Sequence, residues 1–331
     1  METNMAIKLM PAPMAGFQDY LERSLRDPFT LDLSGLSLLD VIAAYKRAKA
    51  RLHPNYGNSL AGMIYNIRSL ESQYHTSLVP VQVTDIFWSY FMDFCARRGL
   101  RRSSIDTMCN QLRSVLNWAV KYNAKVSPTY ADFRTHKTRN YEIALTADEV
   151  SRIAYFDIER FYRRRRKDFR ENMARIRDMF VLSCNLFQRH SDMVRIGPEC
   201  FERNIFRICQ QKTGNLAVVD IDRFAVEPKT TYRILERYGY EAPYKANISN
   251  FNNRLHRLMK DVGFLDPVRI EEKGADGKMR VETLPKWKLI SSHTARRTAI
   301  TINVTRGKNV HDLRKCSGHT DLRIFDDYVI D

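Results

Sequence analysis

The chain contains no Cys-x-x-Cys pair and no metal-ligand spacing of cysteine and histidine, which excludes the common zinc-ribbon and finger scaffolds. Most of its six cysteines (Cys95, Cys109, Cys184, Cys200, Cys209 and Cys316) sit among apolar neighbours. They are expected to be reduced, buried thiols of a cytosolic protein. No glycine pattern of the phosphate-cradling kind is present, so ATP chemistry is not indicated. No cluster matches a carboxylate triad or a metal-bound histidine pair, which argues against a metal-dependent transposase. No stretch approaches the length needed to span a membrane. The start, Met1-Glu2-Thr3-Asn4, has no sustained apolar region, so no signal peptide is expected. Internal repeats and low-complexity tracts are missing as well.

Positive charge, by contrast, is plentiful. Lysine and arginine number 54 against 38 aspartate and glutamate, a formal net charge of +16. Such an excess points to a polyanionic partner, and nucleic acid is the commonest. The 331 residues suffice for two domains, each with its own core.

Residues 1–34 show no clear period and read as an arm or short helix. Four helical patterns follow: Ser37 to Leu52, closed by Pro54; Ser59 to Tyr74; Thr84-Asp85 to Gly99; and a fourth that Ser103 is placed to cap. In the fourth, Ile105, Met108, Leu112, Val115, Leu116 and Ala119 recur at helical spacing. Four helices of this length make a small bundle. Between Ala124 and Ala144 the pattern breaks, with a basic run from Arg134 to Arg139. A linker crossing a phosphate backbone and an ordinary solvated linker fit this run equally well.

A capping box, Thr146 with Glu149, opens the next helix. The run Arg163-Arg164-Arg165-Arg166-Lys167 reads as a solvated helix face. Residues 172–187 form an apolar helix that delivers Arg189 just beyond its end. Alternation over 204–209 and 216–221 predicts two strands, with Lys212 in the turn between them. A second hairpin-like segment, Val268 to Leu284, is expected to be surface.

The last forty residues carry the chemistry. Ser292-His293-Thr294-Ala295-Arg296-Arg297 places His293 and Arg296 three apart, on one helical face. Ser317-Gly318-His319 and then Tyr328 follow at short spacing. Tyrosine, with a pKa of about 10, is a weak nucleophile in water. It attacks phosphorus well only where the phosphate is held in line and its charge is stabilised. Arg189 and Arg296 suit that task because a guanidinium offers paired donors to two phosphate oxygens. Taken singly, each residue has an ordinary reading: a packed tyrosine, a helix-end arginine, a solvated turn lysine, satisfied core imidazoles.

Taken in order, Arg189, Lys212, His293-x-x-Arg296, Gly318-His319 and Tyr328 resemble the tyrosine recombinase (phage integrase) family. The resemblance covers residues 144–331 by motif and the preceding hundred by layout. It implies a mainly α fold with a small antiparallel β-sheet. The expected parts are an arm (1–34), a core-binding, SAM-like helical DNA-binding domain (35–125), a linker (126–143) and a catalytic domain of the DNA breaking-rejoining fold (144–331). It further implies Tyr328 as nucleophile, His293 as acid or base, His319 as a third phosphate donor and Lys212 as the acid that protonates the departing 5′-oxygen. No cofactor and no metal are expected.

The implied activity is site-specific recombination through a 3′-phosphotyrosine, serving integration, excision or inversion for a bacterial phage or mobile element. The implied partners are double-stranded DNA with inverted-repeat core sites and three further copies in a homotetramer on synapsed DNA. There is room for an accessory DNA-bending protein, and no membrane is involved. The expected location is cytoplasmic, associated with the nucleoid. A type IB topoisomerase and a non-catalytic DNA-binding regulator on the same scaffold are the alternatives.

Three departures from the family stand out. Its usual Thr-Gly-Leu-Arg is here Leu186-Phe187-Gln188-Arg189, a loss of glycine that could alter the turn. Its Leu-Gly-His is Ser317-Gly318-His319. Only Val329, Ile330 and Asp331 follow Tyr328, so the tyrosine segment is expected to be loosely held.

Overall fold

The computed structural model describes residues 31–51, 59–132, 141–273 and 279–330. The chain divides into two compact units, residues up to 140 with 271–281, and residues 141–270 with 282–331.

Among the described residues the first unit has four α-helices: α1 (Leu38–Ala50), α2 (Ala61–Gln73), α3 (Asp85–Arg97) and α4 (Arg102–Ala119). Ser37 caps α1 by accepting from the Asp40 amide, and Thr84 caps α3 by accepting from the Phe87 amide. Their apolar stripes meet in one core that includes Ile42, Met63, Trp88, Phe91, Leu112 and Leu116. Val126 and Tyr130 also pack on this core, and the Tyr130 hydroxyl donates to Asn117 Oδ1 at 2.8 Å. Ser103 does not cap α4. The helix starts at Arg102 with Arg101 at the cap position, two residues earlier than a Ser103 cap implies, and an Arg102–Asp106 ion pair at 3.0 Å spans its first turn. Pro54 and the basic run Arg134 to Arg139 lie outside the described residues.

The second unit opens with α5 (Ala147–Ala154), whose Thr146–Glu149 capping box forms as the sequence predicts. Then come α6 (Ile158–Phe161), the long α7 (Lys167–Leu186) and the single turn α8 (His190–Met193). The run Arg163 to Arg166 is exposed but not helical. It forms the turn between α6 and α7, and α7 begins at Lys167, earlier than the apolar pattern marks. The C-terminal half of α7 is buried on every side, from Met179 to Leu186, so this helix is the axis of the unit.

A three-stranded antiparallel sheet, β1 (Phe201–Glu202), β2 (Ile205–Cys209) and β3 (Leu216–Asp220), follows in that spatial order. Cys209 pairs with Leu216, so residues 210–215 form the connecting turn. Gly214, at φ +69°, supplies the left-handed residue this turn needs. Cys209 is exposed and Cys200 half-buried, whereas the other four cysteines are buried. Alternation along β2 explains the exception, because Phe206 and Ile208 face inward and Cys209 outward.

The chain continues through α9 (Ile221–Phe224), α10 (Pro228–Arg237) and α11 (Ile248–Val262), then the hairpin of β4 (Pro267–Lys273), in which Ile270 is buried, and the largely exposed β5 (Met279–Pro285). It closes with α12 (Ser292–Thr305), α13 (Val310–Ser317) and α14 (Leu322–Asp326). Helix α12 packs along α7, α11 and α5 also lie against α7, and α13 packs on β3. This brings the C-terminal end of α7, the N-terminal end of α12, the 210–215 turn and the chain from Ser317 onward to one place. No helix among the described residues is long and apolar enough to cross a membrane.

Candidate active site

Helix α7 ends at Phe187, which takes a left-handed conformation at φ +62°. That is the position of the glycine missing from the family pattern, so the turn keeps its shape with a phenylalanine in it. The ring is fully buried in the core. The turn turns Arg189 out of the helix axis, half-exposed, with one hydrogen bond, from Nη1 to Gln210 Oε1 at 2.9 Å.

Helix α12 presents His293, Arg296 and Arg297 from one face, at positions i, i+3 and i+4. Arg296 is completely buried. Its Nη1 donates to the Phe187 carbonyl at 3.0 Å, and its Nη2 to the Ser317 carbonyl and to His319 Nε2 at 3.0 Å. Its Nε has no hydrogen-bond partner among the described residues. Burial, with the Arg189 charge nearby, pulls the Arg296 guanidinium down to about 9. Because Nε2 of His319 accepts from Arg296, its Nδ1 carries the proton and donates to Ser317 Oγ at 2.9 Å. Ser317 Oγ passes the chain on to the Leu313 carbonyl at 2.8 Å.

The Tyr328 hydroxyl lies 2.8 Å from His293 Nε2. The His319 ring centre is 4.6 Å from the tyrosine ring, and the guanidiniums of Arg296 and Arg297 each lie 5.4 Å from it. The tyrosine segment is docked, not loose. Thr301 Oγ1 donates to the Tyr328 carbonyl at 3.3 Å and accepts from the Ile330 amide at 3.1 Å, and Val329 packs on the core. Lys212 is exposed in the hairpin turn and makes no hydrogen bond or ion pair among the described residues. Its charge still reaches His293. Thus Arg189, His293, Arg296, His319 and Tyr328 form one cluster, and Lys212 overlooks it.

Three residues passed over in the sequence belong here. Arg297 is buried and ion-paired to Glu142. Asp192 is fully buried, and its Oδ1 accepts from the Gln211 amide at 2.8 Å, fixing the start of the hairpin turn to α8. Gln210 is buried between Arg189 and the Ser317 carbonyl. Arg297 was detectable from its helical spacing to His293, whereas the other two act across turns that spacing does not reveal. Among the described residues, no group of three or more His, Cys, Asp or Glu is placed to hold a metal ion.

Both imidazoles are held neutral. Burial, then the charges of Arg297, Arg296, Arg189 and Lys212, push His293 from 6.5 to about 4. Burial, then Arg296 and Arg189, push His319 from 6.5 to about 3. An unfolded chain therefore binds these protons at a pH where the folded one does not, and stability falls as pH drops below the unfolded value of 6.5. The thermal midpoint is expected to be level above about pH 7 and already declining near pH 6, above the carboxylate range of about 4. A midpoint unchanged down to about pH 4.5 would contradict this placement of the histidines.

A scan against protein-family models and a search of curated protein sequences each find no match. Solved structures do match. A lambda integrase dimer bound to a COC′ core site aligns over 95% of this chain and 86% of its own, with TM-score 0.64 and 13% identity. A lambda integrase tetramer bound to a Holliday junction aligns over 93% and 81%, with TM-score 0.63 and 15% identity. The Tn1549 transposon integrase in complex with transposon right end DNA aligns over 89% and 95%, with TM-score 0.60 and 14% identity.

This is the tyrosine-recombinase fold. Both integrases are tyrosine recombinases, and the likeness extends over the first unit as well as the second. The fold class expected from the sequence, mainly α with a small antiparallel sheet, is the one observed.

Proposed function

We propose that this tyrosine-recombinase-fold chain is a site-specific DNA recombinase of the integrase type, cleaving and rejoining duplex DNA through a 3′-phosphotyrosine. The observation that carries the reading is the Tyr328 hydroxyl set 2.8 Å from a neutral His293, with the guanidiniums of Arg296 and Arg297 beside its ring. Neutral His293 accepts the phenolic proton as the Tyr328 oxygen bonds to phosphorus. Arg189 and Arg296 hold the non-bridging oxygens. His319 donates a third contact once its proton sits on Nε2, with Ser317 Oγ donating to Nδ1 and the Arg296 donor turned to the phosphate. The buried Arg296 Nε supports this role, since a buried donor without a partner costs about 1–3 kcal/mol and an anion would remove that cost. The P–O5′ bond breaks, and Lys212 supplies the proton that leaves with the 5′-oxygen. A free 5′-hydroxyl attacking the phosphotyrosine reverses the step, with no net change in bond energy.

The lambda integrase dimer on a core site and the tetramer on a Holliday junction support double-stranded DNA as substrate and a homotetramer as the working assembly. With them go inverted-repeat core sites, an accessory DNA-bending protein and a nucleoid-associated, cytoplasmic location in a bacterial cell. The arrangement of parts follows the same reading: an arm over 1–34, a core-binding unit over 35–125, a linker over 126–143 and a catalytic unit over 144–331.

The test uses suicide duplexes made from the DNA flanking the chain's own gene, in excess EDTA. Lys212→Ala is expected to slow cleavage by roughly 10²–10⁴-fold on ordinary DNA. With sulfur in place of the 5′-bridging oxygen, the leaving group departs without protonation and the variant should approach the wild-type rate. A strict magnesium requirement would remove the mechanism, and no rescue by sulfur would remove Lys212 from the acid's role. Ready relaxation of a supercoiled plasmid lacking the flanking sequence would favour a topoisomerase instead.

A further inference from the structure

Two buried glutamines tie together the turn that carries Arg189, the hairpin turn that carries Lys212 and the turn that carries His319. Gln210, 1% exposed, accepts at Oε1 from Arg189 Nη1 at 2.9 Å and from Thr213 Oγ1 at 3.1 Å. Its Nε2 donates to Gln188 Oε1 at 2.8 Å and to the Ser317 carbonyl at 2.9 Å. Gln188, fully buried, donates in turn to the carbonyls of Leu186 at 2.7 Å and Cys316 at 2.9 Å. All four hydrogen-bonding positions of the Gln210 amide are thus filled. Its orientation is dictated by its partners, because a flipped amide would set NH₂ against a guanidinium and oxygen against two oxygens.

A second observation shows how closely the surroundings fit this amide. A Cβ on Gly318 would come within 2.6 Å of Gln210 Oε1, and Gly318 also takes φ +65°. Only glycine allows the turn before His319 to close over the amide. Asn215 adds a parallel tie, its Nδ2 donating to the Gly318 carbonyl at 3.1 Å.

We infer that Gln210 is a positioning residue that sets the Arg189 guanidinium against the reacting phosphate and locks the Gly318-His319 turn to it. The inference rests on the recombinase reading and adds to it a residue that touches no substrate. Gln210 meets both Arg189 and the hairpin that carries Lys212, and the assignment is to the arginine. One hydrogen bond to Gln210 holds the arginine in place, while the hairpin is also held by its strand pairing and by Asp192 and Asn215. A fully satisfied amide suits this role better than a carboxylate. It fixes the guanidinium through one N–H without neutralising the charge that the phosphate needs.

The experiment compares Gln210→Ala, Gln210→Glu and Lys212→Ala on ordinary and 5′-bridging-sulfur suicide duplexes, with duplex binding measured separately. Gln210→Ala is expected to slow cleavage roughly 10²-fold, as misplacing a reacting group does, with little change in binding. Sulfur should rescue Lys212→Ala and leave Gln210→Ala slow, because the lost function is phosphate alignment and not leaving-group protonation. Gln210→Glu keeps the shape but sets a carboxylate on Arg189. Its deficit should be greatest near pH 8 and narrow toward pH 6 as the buried carboxyl takes up a proton and regains one donor.

Equal rescue of Gln210→Ala and Lys212→Ala by sulfur would overturn the assignment to Arg189. So would cleavage by Gln210→Ala at the wild-type rate, or a pH-independent deficit in Gln210→Glu. If Gln210→Ala does not fold, the Gln210→Glu pH profile decides alone. Absence of any wild-type adduct would instead strike the recombinase reading itself.

Discussion

Tyr328→Phe is expected to bind duplex DNA as tightly as the wild type and to form no covalent adduct at all. The substitution removes one oxygen. The ring stays beside the His319 ring and the Arg296 and Arg297 guanidiniums, and the backbone bonds through Thr301 are untouched. The fold loses one hydrogen bond, to His293, worth about 1 kcal/mol. On the proposed mechanism the reaction loses its nucleophile. Denaturing electrophoresis of protein with suicide duplex reads the adduct, and fluorescence anisotropy reads binding. A residual adduct mapped by mass spectrometry to another tyrosine, such as Tyr232 or Tyr244, would move the nucleophile and leave the reaction class standing.

Arginine-to-lysine changes at the two candidate phosphate-binding positions should separate alignment from stability. Arg189 is half-exposed with one hydrogen bond, whereas Arg296 is fully buried and holds the carbonyls of Phe187 and Ser317. Arg189→Lys keeps the charge and loses the fork, so cleavage should fall roughly 10²–10³-fold with the melting point unchanged. Arg296→Lys should lose at least as much cleavage. It should also lose about 1–3 kcal/mol for each carbonyl left without a donor, visible as a lower thermal midpoint. Near-wild-type cleavage by either variant would mean that the wrong arginine has been placed at the phosphate.

Local signals made much of the fold legible in the sequence. Thr146 announces its helix through a capping box, the helical patterns starting at Ser37 and Thr84-Asp85 match observed helices, and the alternation around Lys212 places its turn within a residue of the observed one. Ser103 misled because a serine near a helix start resembles a cap even when the first turn is already supported by an ion pair. The Arg163 to Arg166 turn was hidden because charge runs carry no period, and the two-residue β1 is too short to show one.

The candidate site was legible residue by residue in five of its members plus Lys212, because their order along the chain is itself the signal. Its supporting network was not. The bond from Gln210 to Gln188 joins positions 22 apart and the bond to Ser317 joins positions 107 apart. Two glutamines and a serine have no spacing rule that would link them. Arg297 shows the intermediate case: its place on the helix face was readable, but its proximity to Tyr328 depends on where the last residues dock.

Phe187 sets backbone strain against core packing. A non-glycine residue in the left-handed region costs roughly 1–2 kcal/mol, while emptying a buried phenylalanine site costs roughly 3–5 kcal/mol. At this position the second quantity exceeds the first, so glycine, the torsionally easier residue, is the less stable choice here. The site is therefore epistatic. Phe187→Gly becomes acceptable only together with a larger neighbouring core side chain that fills the space of the ring.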